Sequence, residues 1–140
     1  MTAKEYLKTY QGEKKEADAI EARIMELERK KKRVKAVSHT GVPGSRNRKD
    51  LSDAEVAIEE LVESYMRVIT AYVTKEADIL EKLELMQEAE ERTVLMLKYI
   101  SDKDERTGRA LTWYDIAERM NVSKRTAQYI HGRALQHFPL

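Results

Sequence analysis

The chain has 140 residues, 41% hydrophobic and 36% charged, with five Gly, two Pro and no Cys. That balance suits long solvent-exposed helices and excludes a large compact core, a disulfide scaffold and thiolate metal sites. The net charge of +1 predicts no polyanionic partner by itself, but it is unevenly spread: 14 basic against 8 acidic residues over 1–50, 3 against 12 over 51–91, and 9 against 5 over 92–140.

The opening MTAKEYLKTYQGEKKEA lacks the apolar run of a signal peptide, and nowhere do about eighteen apolar residues stand together as a membrane span requires. The expectation is a soluble, cytoplasmic protein. Thr2 and Glu5 have the S/T-x-x-E form of a capping box, so a helix should begin near Ala3. Ala3, Tyr6, Tyr10, Ala17, Ile20, Ile24, Leu27 and Val34 then recur in alternating steps of three and four, with Glu13 and Lys31 filling the gaps. This is a coiled-coil-like seam. Gly12 inside it costs about 1 kcal/mol relative to Ala and allows a break after Tyr10.

From Ser38 to Asp50 the periodicity stops, and SHTGVPGSRNRKD reads as a loop. It follows RKKKRVK at 29–35 and contains Arg46, Arg48 and Lys49, a basic patch over 29–49 that is open to two readings. Its cations either complement the C-terminal dipole of a solvated helix or contact nucleic acid.

Ser52 with Glu55 offers a second capping box. Beyond it a seam runs Ile58, Val62, Tyr65, Ile69, Tyr72, Ile79, Leu83 and Met86, interrupted by Glu76. Each helix should extend about 50 Å at 1.5 Å per residue, and the loop can return the chain antiparallel, laying basic helix on acidic helix. Leu61, Val68, Val73 and Leu80 fall off the seam and suggest a further partner surface: either the C-terminal module folds back onto the hairpin or a second chain completes a bundle, and a homodimer is favoured because a DNA reader gains from two half-sites.

AEERTVLMLKYIS at 89–101 is apolar nearly all round and should sit in a small C-terminal core, joined to the second helix either continuously or through a bend near 87–90. SDKDERTGRA at 101–110 reads as a connecting loop. Thr112 and Asp115 then form a capping box for WYDIAERM, with Ile116, Ala117 and Met120 inward. Asn121 and Val122 make a turn, and Ser123 caps a last helix that buries Ala127, Ile130, Ala134 and Leu135 before Pro139. The fold class expected is all-α: a helical hairpin over 1–88 with its loop at 38–50, followed by a helix-turn-helix module over 89–140.

A helix-turn-helix lays its second helix in the DNA major groove. The outward positions Lys124, Arg125, Gln128, Tyr129, His131 and Arg133 could face DNA, and no acid follows Glu118 to repel phosphate. Arg125 and Gln128 suit base edges, since Arg pairs bidentately with guanine and Gln with adenine, with Lys124 and Tyr129 beside them. Arg119, Thr126, Lys124 and Arg133 suit phosphate contacts that set register.

Residues 89–136 resemble region 4 of sigma-70-type factors, in which a packing helix of the ERTVLMLKYI kind precedes a helix-turn-helix of the YDIAERMNVSKRTAQYIHGRAL kind. The match is carried by Ile116, Ala117, Val122, Ser123, Ile130, Arg133, Ala134 and Leu135. Over its whole length the chain resembles small sigma-like proteins of Gram-positive phages and mobile elements, the ArpU and RinA late transcriptional regulators. The resemblance implies promoter reading by Lys124, Arg125 and Tyr129. The sigma pattern has an acid at the position of Arg125 and Gln at that of Tyr129, which implies a different base preference. No segment resembles the polymerase-binding region 2.

Other function classes are less well served. His39, His131 and His137 do not cluster with carboxylates at ligand spacing, so no metal or other cofactor is expected. Glu59, Glu60 and Glu63 read as a solvated helix face, and no Gly-rich loop or nucleophile motif suggests an enzyme. Two alternatives remain: an adapter whose hairpin binds RNA polymerase or another regulator, and a small DNA-packaging (terminase) subunit, which would form a ring-sized oligomer.

Overall fold

The computed structural model describes residues 1–39 and 45–140, with side chains described outside 37–50. It is helical, and no strand is present among the described residues. Five helices follow in order: α1 (Ala3–His39), α2 (Ser45–Leu85), α3 (Ala89–Leu95), α4 (Trp113–Met120) and α5 (Lys124–His137). Among the described residues no helix is long and apolar enough to cross a membrane, and no His, Asp and Glu group could hold a metal ion.

The start of α1 follows from its first residues. The Thr2 N–H donates to Glu5 Oε2 at 2.9 Å and the Glu5 N–H to Thr2 Oγ1 at 3.2 Å, the reciprocal capping box expected there. The helix runs unbroken through Gly12. Its far end differs from expectation, because α1 continues to His39 and α2 begins at Ser45 rather than near Ser52. The expected loop of 38–50 is thus largely helical backbone. Its residues 40–44, and the side chains of Arg46, Arg48 and Lys49 in the basic patch, lie outside the described residues.

The chain divides into two compact units, one formed by Met1–Gly12 with Val73–Leu140 and the other by Glu13–Tyr72. The second unit is a helical hairpin. Ala17 and Leu27 are buried in it, while Ile20, Ile24, Val34, Ile58, Leu61, Tyr65, Val68 and Ile69 are half-buried. Lys31 Nζ lies 3.5 Å from Glu55 Oε1, which sets the basic helix against the acidic one in antiparallel sense. With only two layers, one stripe per helix finds cover. Val62, placed on the seam by its spacing, stays exposed, as do Met66 and Met25.

The first unit contains the site. Its boundary does not coincide with the division expected at residues 88 and 89, because both ends of the chain and the last turns of α2 share its core. Leu7, Tyr10, Ile79, Leu83, Val94, Leu95, Tyr99 and Ile116 are buried there together. Tyr6 donates to Asp78 Oδ2 at 2.6 Å, and its ring lies 6.4 Å from that of Phe138. Gln11 Nε2 donates to the Lys98 carbonyl at 2.9 Å and to Asp102 Oδ2 at 3.1 Å. The first three turns of α1 therefore reach α2, the segment that follows α3 and Phe138.

Between α2 and α3 the helix breaks over Met86–Glu88, so of the two joins open on the sequence the chain takes the bend. Arg92 bridges the break by donating to the Met86 carbonyl. Past Leu95 the helix widens into a π-turn over Met96–Ile100, closed by the Ser101 N–H on the Met96 carbonyl at 2.8 Å. The loop after it is tied by an antiparallel bridge between Lys103 and Ala110, with Gly108 at φ 71°, where a side chain would be strained.

Candidate nucleic-acid interface

Local chemistry fixes α4, its turn and α5. Thr112 Oγ1 accepts the Asp115 N–H at 3.2 Å while Asp115 Oδ2 accepts the Thr112 N–H at 2.9 Å, so α4 starts on a capping box. It stops where Asn121 turns into the left-handed region, at φ 59° and ψ 42°. Asn tolerates this region better than most side-chain-bearing residues. There the Asn121 N–H reaches the Glu118 carbonyl at 3.1 Å and the Val122 N–H the Ala117 carbonyl at 3.0 Å. Ser123 Oγ then accepts the Thr126 N–H at 3.1 Å and opens α5 two residues after the turn.

The inner faces of this pair are small and apolar. Ile116, Ala117, Ala127, Ile130 and Ala134 are buried, and Met120, Val122 and Leu135 half-buried, as their spacing predicts. Small residues at 117, 127 and 134 let the helices approach closely. Lys124, Arg125, Thr126, Gln128, Tyr129 and Arg133 are all exposed on α5, as is Arg119 on α4.

Exposure alone does not make these residues equivalent. Among the described residues Lys124 and Arg125 have no carboxylate partner. Arg119 Nη2 lies 3.7 Å from Asp104 Oδ2 across the connecting loop. Thr126 accepts a hydrogen bond from Ser123 Oγ at 2.8 Å, so its hydroxyl is already engaged in the cap. Arg133 Nε lies 3.8 Å from Glu91 Oε1, and His137 Nδ1 donates to the same carboxylate at 2.9 Å. Glu91 itself is only 3% exposed. These three side chains border a cleft of about 340 Å³ beside Leu85 and Met86.

His131 departs from its expected outward placement. Its ring is half-buried, stacked 5.7 Å from Tyr99 and edge-on to Trp113 at 5.1 Å. Its Nε2 shares a hydrogen bond of 2.8 Å with the Tyr99 hydroxyl. Burial, assisted by the Lys98 and Lys4 charges, pulls its pKa down to about 4, and burial pushes the Tyr99 phenol up to about 12. Both groups are therefore neutral near pH 7. The pair locks α5 to the π-turn and leaves His131 no part in an outward face.

Spacing did not point to Tyr114. It is the second residue of α4, is 70% exposed, and carries Lys124 Nζ over its ring at 4.6 Å from the centroid. Tyr129 is 66% exposed, with the Arg133 guanidinium 5.9 Å from its centroid. Two cations thus lie over aromatic faces on the exposed side of the pair. The Glu91 cluster was equally hidden, since Glu91 and His137 meet across 46 positions of sequence.

Comparison with family models, curated proteins and solved structures returns no significant match. An acid-free row of two cations without a carboxylate partner, an amide and a phenol on one helix suits a polyanion that also presents hydrogen-bonding edges.

Proposed function

We propose that this chain is a sequence-specific DNA-binding transcriptional regulator, of the phage or mobile-element kind implied by its resemblance to the ArpU and RinA late regulators. In this reading α4, the turn and α5 act as a helix-turn-helix, with α5 in the major groove of double-stranded DNA. The observation that carries it is the exposed face of α5, where Lys124, Arg125, Gln128 and Tyr129 stand free of acids while the opposite face is held by buried Ala127, Ile130 and Ala134. Arg125 and Gln128 are the base readers, through guanine and adenine edges respectively. Arg119 and Arg133, each close to a carboxylate, are weaker phosphate contacts than the unpaired Lys124.

The hairpin would join two copies, since a dimer reads two half-sites about one helical turn of DNA apart. Exposed Val62 and Met66 on the hairpin supply apolar surface for this. Light scattering on the intact chain tests it, and a monomer at micromolar concentration would remove this part of the reading.

Binding-site selection from a random duplex library tests the whole. Wild type should recover one motif, with affinity falling steeply as salt rises. Arg125→Ala and Gln128→Ala should each relax one position of that motif at a cost of about 1–3 kcal/mol. An unchanged motif in both variants would show that α5 does not read the bases.

A further inference from the structure

We propose that Tyr114 and Lys124 together clamp a backbone phosphate of duplex DNA, so that Lys124 sets register rather than reading a base; this rests on the DNA-binding function proposed above. Tyr114 is 70% exposed although it follows Trp113, whose ring packs on His131. Its place in the fold is thus a surface one. Lys124, the first residue of α5, is free to extend toward solvent, yet its Nζ lies 4.6 Å from the Tyr114 centroid.

That contact draws the ammonium across the corner onto the first turn of α4. In helix-turn-helix docking the first helix crosses the phosphate backbone, while the second carries the base-reading residues. A cation held over α4 therefore meets phosphate, and Arg125 and Gln128, three apart on one face of α5, are left to the groove. The aromatic face attracts the ammonium without neutralising it, so all of its charge remains for the phosphate. The phenol hydroxyl adds a hydrogen-bond donor beside it. The acid closest in sequence, Asp115, is tied back into the Thr112 cap and leaves the clamp unopposed from that side.

The test uses the full chain, a labelled duplex bearing the selected motif and a second duplex of scrambled sequence. Lys124→Ala should weaken binding to both by about eightfold at 0.1 M salt and lower the salt slope by about one, the signature of one lost phosphate contact. Tyr114→Ala should weaken both by about two- to fivefold, and Tyr114→Phe by less, because the ring is kept. The combined variant should lose less than the product of the single effects. Neither substitution should move the thermal transition of Trp113 fluorescence, which separates a clamp from a merely structural corner.

A changed base preference in Lys124→Ala, wild-type binding in Tyr114→Ala, or a binding loss that follows a lowered melting temperature overturns the clamp and leaves DNA binding standing. If the wild-type chain binds neither duplex, the DNA-binding function fails and the clamp falls with it.

Discussion

Leu7→Ala should unfold the C-terminal part of the chain more readily, although Leu7 lies more than eighty residues from α3, α4 and α5, which share its unit. Leu7 is fully buried in the unit that also holds Val94, Tyr99 and Ile116. Removing its terminal carbons forfeits about 2.4 kcal/mol at roughly 0.8 kcal/mol per buried methylene-equivalent. The cavity left behind adds to this, since the surroundings relax only in part, and the total should come to about 3 kcal/mol. For a unit of this size that loss lowers the melting temperature by roughly 10–20 °C. The chain has one tryptophan, Trp113, and it sits in the same unit, so urea or thermal unfolding followed by its fluorescence reads the effect directly. Met25→Ala is the control: Met25 is 52% exposed in the other unit, and its loss should stay within about 0.5 kcal/mol. A Trp113 transition unmoved by Leu7→Ala would refute the joining of the N-terminal turns to the C-terminal core.

Other consequences follow from the same unit. His131 has a folded pKa near 4 against about 6.5 when unfolded, so its neutral form is favoured by folding and its contribution is complete above pH 6.5. Stability should fall as pH drops from 6.5 toward 4, by about 1–2 kcal/mol once the part of the ring open to water is allowed for. The urea midpoint at pH 7 and pH 5 measures this, and His131→Phe should flatten that portion of the curve; an unchanged slope would locate the titration elsewhere. Asn121 holds φ 59° at the end of α4, so Asn121→Val should cost about 1–2 kcal/mol while Asn121→Gly is tolerated, as melting temperatures would show. Ser123→Ala should cost about 1 kcal/mol through loss of the α5 cap, with Ser123→Asp restoring it; equal melting of both variants would deny the cap its role.

What the sequence made legible was local. Capping boxes at Thr2 and Thr112, the Ser123 cap, the turn at Asn121 and the buried stripe of Ile116, Ala117, Ala127, Ile130 and Ala134 depend on residues three or four apart, and all appear where spacing places them. The same is true of the antiparallel hairpin, whose partners lie on either side of one connection. The start of α2 was misplaced because a capping-box pattern at Ser52 and Glu55 also occurs inside helices, where the backbone N–H groups already have partners. Leu7 was missed because a strict three-four seam steps from Tyr6 to Tyr10. The buried stripe there runs Ala3, Leu7 and Tyr10, four and three apart, with half-buried Tyr6 at its edge. Spacing picks out the exposed α5 residues but also turns His131 outward, since an imidazole reads as polar until Tyr99 and Trp113 are seen to enclose it.

The two halves of α5 differ in how their charge is balanced, and on the proposed DNA-binding reading this bears on which residues would meet a polyanion. Toward the C-terminal end Arg133 and His137 converge on Glu91, a carboxylate taken almost wholly out of water on α3. A carboxylate so buried is retained only with partners, so Arg133 and His137, each about half exposed, stay beside it near the negative end of the helix dipole. Toward the N-terminal end Lys124 and Arg125 have no carboxylate partner among the described residues, and the positive end of the dipole adds to their field. The affinity for phosphate should therefore rise along α5 from its last turn to its first. This is the end that enters the groove in helix-turn-helix docking, and there the row of Lys124, Arg125, Gln128 and Tyr129 is left open.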